Sequence, residues 1–208
     1  MTKKTIAVLV GSLRQRSYNK IMAQNLIRMA PKNLLLEIVE LQNLEIYNQD
    51  FDENPPQAWM DFREKIKACD GLLFVTPEYN RSVLAVLKNA IDIGSRPYGQ
   101  SVWNKKPSAI VSVSPGAIGA FGANHHLRQS LVFLNVPTMQ QPEAYIGGAA
   151  DLFDENSNFK VPANQAFMQK FMNSFAEWVD INTSPHPTSS QVNEVHSKGV
   201  RVGDEAAP

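Results

Sequence analysis

Apolar residues along this chain follow two rhythms. Short, nearly unbroken runs occupy residues 5–10, 34–41, 72–75 and 108–113. Runs of that kind are strands covered on both faces, as in a parallel sheet. Between them, apolar positions recur at helical spacing over residues 18–30, 57–68, 83–93, 123–135 and 163–181. Ile21, Met22, Leu26, Ile27 and Met29 make the inward side of the first helix, and Pro31 ends it. Trp59, Met60, Phe62, Ile66 and the stem of Lys67 do so for the second, and Gly94 closes the third as a C′ glycine. Phe167, Phe171, Phe175 and Trp178, at spacings of four, four and three, form a core stripe on the last. Residues 137–139 begin a fifth strand, and 143–146 continue that edge irregularly.

Strand and helix in alternation give an α/β domain with a parallel sheet. Right-handed crossovers bring the loops after strands one, three and four to one edge of that sheet. In the order 2-1-3-4-5 the switch point falls between strands one and three, where ligands bind. Those three loops, residues 11–19, 76–82 and 114–120, are stretches without apolar periodicity.

Composition narrows the setting. The chain has 208 residues, 43% of them apolar, which suits one domain over residues 1–182. From 183 to 208 the apolar content collapses into Pro, Ser and scattered charge, the composition of a disordered tail. Lys+Arg and Asp+Glu are 20 each, so no global field recruits nucleic acid or an acidic membrane. The single cysteine, Cys69, permits no intrachain disulfide. The N-terminus lacks a signal-peptide pattern, and no apolar run nears the ~20 residues of a membrane span. The expectation is a cytoplasmic protein.

The first loop, Gly11-Ser12-Leu13-Arg14-Gln15-Arg16-Ser17-Tyr18-Asn19, sits between a strand and a helix N-terminus. Unpaired first-turn N–H groups and the helix dipole attract an anion there. The loop has neither the Gly-Lys-Ser/Thr of a Walker loop nor the three spaced glycines that a pyrophosphate needs. It reads either as the cradle of a single phosphate or as a polar turn N-capped by Ser17. In the second loop, Thr76-Pro77-Glu78-Tyr79-Asn80-Arg81-Ser82, Pro77 holds the backbone extended, fit to meet the edge of a planar heterocycle, with the Tyr79 ring near its face. Glu78 is either a general base or a structural carboxylate that pairs with a cation or accepts backbone hydrogen bonds. The third loop, from Ser114 through Gly116 to Gly119, allows close backbone approach, or is a glycine-rich turn.

Other chemistries have little support. His125 and His126 are helical neighbours whose side chains diverge by about 100°, and His186 and His196 lie in the tail. No metal site is expected. Cys69 reads as a small buried hydrophobe rather than a nucleophile, and there is no Gly-x-Ser-x-Gly elbow.

Taken together, Gly11-Ser12-Leu13-Arg14 with Ser17 and Asn19, Thr76-Pro77-Glu78-Tyr79-Asn80 with Ser82, and Leu87-Lys88-Asn89-Ala90-Ile91-Asp92 resemble the NADPH-dependent FMN reductase family. The likeness is closest to its bacterial quinone and chromate reductase subgroup, with Leu127-Arg128-Gln129 and Pro142-Glu143 in keeping. The resemblance spans about residues 5–180. It implies a flavodoxin-like three-layer sandwich with a five-stranded parallel sheet and one FMN per subunit. It also implies NADPH or NADH as donor, and a homodimer or homotetramer with flavin sites at the dimer interface. Ser12, Arg14, Ser17, Tyr18 and Asn19 would surround the phosphate. Pro77, Glu78, Tyr79 and Asn80 would line the isoalloxazine, and Ser114 and Gly116 would approach its other side. Arg16 departs from the small residue usual at its position. No side chain is expected to be catalytic in its own right, with Glu78 and Tyr79 as modulators. Without a separate dinucleotide fingerprint, nicotinamide and a quinone-like, chromate, azo or free-flavin acceptor would use one flavin face in turn. Two other classes stay open: a flavodoxin-type electron carrier, and a redox-sensing module that binds a partner protein.

Overall fold

The computed structural model describes residues 3–183, and the tail expected at 183–208 lies outside the described residues apart from Thr183. Five parallel strands pair in the order 2-1-3-4-5. They are β1 Lys4–Val10, β2 Leu34–Val39, β3 Gly71–Thr76, β4 Ser108–Val113 and β5 Ala144–Ile146. Val10 pairs with Val75, and Val75 with Val111, so the loops after β1, β3 and β4 leave the sheet along one edge.

Among the described residues six α-helices flank the sheet: α1 Tyr18–Arg28, α2 Gln57–Ala68, α3 Ala85–Gly94, α4 Phe121–Phe133, the short α5 Ala149–Leu152 and α6 Pro162–Thr183. Side chains alternate across a strand, and this divides the core in two. Ile6, Val8, Val10, Leu73, Val75 and Val111 pack with Met22, Leu26, Phe171 and Phe175 of α1 and α6. Ala7, Leu9, Leu72, Phe74 and Ile110 pack with residues of α2, α3 and α4, among them Phe62, Leu87 and Leu127.

The fold departs from the sequence pattern in five places. Gly94 is the last helical residue of α3, with Ser95 as C-cap, rather than a C′ glycine. The fifth strand is confined to Ala144–Ile146, and the earlier stretch makes one parallel bridge, Thr138 to Ser108. Pro137 and Pro142 offer no N–H to a ladder, which accounts for the break. On α6 the buried face shifts by one position: Met168, Met172 and Val179 are buried with Phe171 and Phe175, while Phe167 is exposed and Trp178 is half-buried. Met60 and Lys67 face outward. The stretch 96–106, which lacks periodicity, nevertheless supplies Trp103. Its ring is fully buried against Phe62 and Phe74, and its indole N–H donates to Ile91 O at 2.9 Å.

Candidate functional site

The first loop leaves β1 pressed against the second. Gly11 N–H donates to Val75 O at 2.9 Å. A Cβ at Gly11 would stand 3.1 Å from Thr76 Oγ1 and 3.3 Å from Pro77 and Leu87. Leu13, Arg14, Gln15 and Arg16 then emerge into solvent, with Ser12 half-buried. Ser17 is buried and N-caps α1, its Oγ accepting from Lys20 N–H at 3.4 Å. The next N–H groups, of Tyr18 and Asn19, have no intrahelical acceptor. Asn19 is buried, and its Nδ2 donates to Val113 O at 3.2 Å. Its Oδ1 is buried with no hydrogen-bond partner among the described residues. One Asn19 Nδ2 hydrogen is thus committed to the scaffold, and its backbone N–H has no intrahelical acceptor.

The second loop is a tight hairpin. Tyr79 and Ser82 exchange both backbone hydrogen bonds, at 3.3 and 3.0 Å. Asn80 and Arg81 take φ of 52° and 62°. Positive φ at both central residues is the two-residue hairpin geometry that normally selects Asn-Gly, so Arg81 is strained. Tyr79 stands exposed at the hairpin base. Glu78 turns inward: its Oε2 accepts from Ala123 N–H at 2.9 Å, and its Oε1 lies 3.4 Å from Arg81. Ser82 Oγ sits 2.8 Å from His126 Nδ1.

These two loops frame one groove of about 400 Å³, lined by Ser12, Leu13, Arg14, Tyr79, Leu84, Ala85 and Val86. The wall formed by Leu84, Ala85 and Val86 was not legible as part of a site, because apolar residues at a helix start look like core. The signal available was that Ala85 begins a helix just behind a loop at the carboxyl edge of the sheet.

The third loop lies along the same edge and is fixed to β5. Ser114 N–H donates to Ile146 O at 3.0 Å, and Ser114 O accepts from Ala149 N–H at 3.1 Å. Gly119, at φ 61°, is packed so closely that a Cβ would come within 2.4 Å of the Tyr145 backbone. Gly116 is the opposite case: a Cβ there would meet only Ser114 Oγ, at 3.7 Å, so a ligand can approach the backbone. Ser114 and Gly116 flank the groove's edge of the sheet without lining the groove itself.

Beyond the loops, Tyr145 OH lies 3.0 Å from His125 Nε2, and Phe121 packs on both rings. Burial, and then a hydrogen bond to Glu143, push the Tyr145 phenol up to about 12. Cys69 is buried, donates to Lys65 O at 3.2 Å, and has its thiol pKa raised by burial, the opposite of an activated nucleophile. Among the described residues no three His, Cys, Asp or Glu side chains group as a metal site, and no helix is long and apolar enough to cross a membrane.

The donor set suits a molecule with a phosphate at one end and a flat ring system at the other. Arg14 and the hydroxyl of Ser12 line the groove, a few residues ahead of the first-turn N–H groups of α1. An apolar helix start, an exposed tyrosine and open backbone follow. FMN has that shape and polarity.

Comparison with known proteins follows the same line. Residues 5–151 match the family described as NADPH-dependent FMN reductase. A protein of Pseudomonas putida named quinone reductase is 59% identical over 179 residues, covering 86% of this chain and 96% of the relative. A 2-hydroxy-1,4-benzoquinone reductase from a Burkholderia species is 45% identical over 174 residues, covering 84% and 95%. Among solved structures, the flavoenzyme NAD(P)H:(acceptor) oxidoreductase of Paracoccus denitrificans superposes with a TM-score of 0.82. It shares 36% identity and covers 86% of this chain and 98% of its own.

Proposed function

This chain belongs to the NADPH-dependent FMN reductase family, and from that premise we propose that it is a quinone reductase in which nicotinamide and acceptor take turns at one open face of the cofactor. It is an FMN-dependent, NAD(P)H-oxidising enzyme of the flavodoxin-like fold. FMN, when bound, would supply the hydride chemistry, at its N5, that links nicotinamide oxidation to reduction of a quinone or similar acceptor.

The chain's own residues bind and orient. Arg14, Ser12 and the N–H groups of Tyr18 and Asn19 hold the phosphate, with Ser17 keeping the helix end in place. Charge-assisted hydrogen bonds of this kind are the strong ones. Pro77, Glu78, Tyr79 and Asn80 shape one side of the ring site, mainly through backbone groups, and Ser114 and Gly116 the other. Leu84, Ala85 and Val86 keep water from the groove wall. The observation that carries this reading is the convergence of Ser12 and Arg14 with Tyr79 on one groove.

The wide mouth of that groove favours acceptors chosen by redox potential over shape: quinones first, then chromate, azo compounds or free flavin. A homodimer or homotetramer and a cytoplasmic location are part of this proposal. The test is direct. Purified protein is titrated with FMN and followed by visible absorbance, then assayed with NADPH and NADH against several acceptors. Parallel double-reciprocal lines are the expected result for alternating substrates. Intersecting lines would replace the shared face with a ternary complex, and no FMN uptake would remove the reading altogether.

A further inference from the structure

The first turn of α4 is a bracket between the second and third loops. On one side, Ala123 N–H donates to Glu78 Oε2 at 2.9 Å. On the other, Asn124 Nδ2 donates to Ser112 Oγ at 3.3 Å, and that hydroxyl donates to Gly119 O at 2.7 Å. The N-cap residue of the helix is Ala120, at φ 60° and with no side-chain cap of its own. The missing cap comes from 45 residues upstream, as the Glu78 carboxylate. An anion at that end also meets the positive pole of the helix dipole. The contact is close-fitting: a Cβ at Gly122 would stand 2.9 Å from Glu78 Oε2 and 3.1 Å from Arg81 O. The Glu78 side chain is only 11% exposed, whereas Arg81 beside it is 75% exposed.

We infer that Glu78 is a positioning residue: by capping α4 it fixes the spacing between the 77–80 loop and the 114–119 loop, and so the gap that receives the flavin ring. This rests on the FMN reading above. The carboxylate acts through Ala123, and its role is to accept a hydrogen bond rather than to move a proton. A glutamine carbonyl can therefore do much of the same work, while an alanine cannot. A Cβ at 122 would displace the Glu78 carboxylate and crowd the Arg81 carbonyl, so alanine there strains the same contact.

The experiment compares wild type, Glu78→Ala, Glu78→Gln and Gly122→Ala as full chains. Hydrogen exchange of the segment containing the Ala123 amide is measured on flavin-free protein. FMN dissociation constants, the visible flavin spectrum and unfolding midpoints are measured alongside. Glu78→Ala is expected to lose protection at Ala123, to bind FMN about tenfold more weakly and to alter the flavin absorption band. Glu78→Gln recovers most of the affinity and protection. Gly122→Ala reproduces the alanine phenotype from the opposite side of the contact, and carries the test if Glu78→Ala does not fold. A folded Glu78→Ala or Gly122→Ala variant with wild-type FMN affinity and spectrum would overturn the inference. So would a Glu78→Gln variant as impaired in FMN binding as Glu78→Ala. Failure of the wild type to take up FMN would strike the functional reading instead, and exchange at Ala123 would still decide whether the tether exists.

Discussion

The Asn19 side-chain amide donates to the carbonyl oxygen of Val113 at 3.2 Å, joining the helix behind the first loop to the strand that leads into the third. Replacing Asn19 by alanine leaves a buried carbonyl at Val113 without its donor. The expected loss is about 1–2 kcal/mol of stability, the range for an orphaned buried acceptor. Urea unfolding of the flavin-free chain measures it. A change below a few tenths would mean that Val113 finds another donor.

Arg14→Ala addresses the proposed phosphate end. Arg14 is exposed at the groove, and among the described residues it has no carboxylate partner within ion-pair distance. Its removal should weaken FMN binding by about 1–3 kcal/mol, as for loss of a charge-assisted hydrogen bond, with little effect on unfolding. Flavin fluorescence titration reads the affinity, and an unchanged dissociation constant would take Arg14 out of the phosphate site.

Arg81→Gly should stabilise the chain. Arg81 takes φ of 62°, and its pair with Glu78, at 3.4 Å, involves an exposed guanidinium. Relief of left-handed strain is of order 1 kcal/mol, whereas an exposed ion pair contributes less. The thermal midpoint is expected to rise. A fall would mean that the ion pair outweighs the strain.

Gly94→Ala tests the core away from the site. A Cβ there would approach the Trp103 ring to 2.4 Å, and that ring is fully buried and hydrogen-bonded to Ile91. Overpacking of this kind costs about 1–3 kcal/mol. Denaturant midpoints should drop while the folded fraction keeps its FMN affinity.

The Tyr145 phenol gives a pH signature. Its pKa stands near 12 in the folded chain against 10.0 ordinarily, through burial and then Glu143. Between those values the unfolded chain has released the proton and the folded chain has kept it. The unfolded state then binds fewer protons, so stability falls as pH rises through that window. Urea midpoints of wild type and Tyr145→Phe, compared from pH 9 upward, should converge or cross as the wild type loses this contribution. A constant difference would mean that Tyr145 titrates normally.

The strands were legible because a parallel sheet buries both faces and so writes continuous apolar runs; residues 72–75 and 108–113 are nearly pure cases. The edge strand was legible only as an irregular edge over 143–146, because three residues just past Pro142 carry no period. Trp103 was missed because it packs as a single plug from a segment without repeat. In the site, the loops that lack periodicity were the right places to look. What they contact was hidden, since the Glu78–Ala123 and Asn19–Val113 bonds join positions 45 and 94 residues apart. Such pairings are set by the folded backbone and leave no local trace.

Those same bonds bear on how the enzyme becomes active. Protein contacts tie an anchor of each of the first two loops to the scaffold: Gly11 to Val75, Asn19 to Val113, Glu78 to Ala123. At these anchors conformational entropy is surrendered when the chain folds. Cofactor capture then resembles docking onto a preorganised seat, with little ordering cost left to subtract from the binding energy. Newly made protein should mature as fast as it meets FMN, without a slow rearrangement in between.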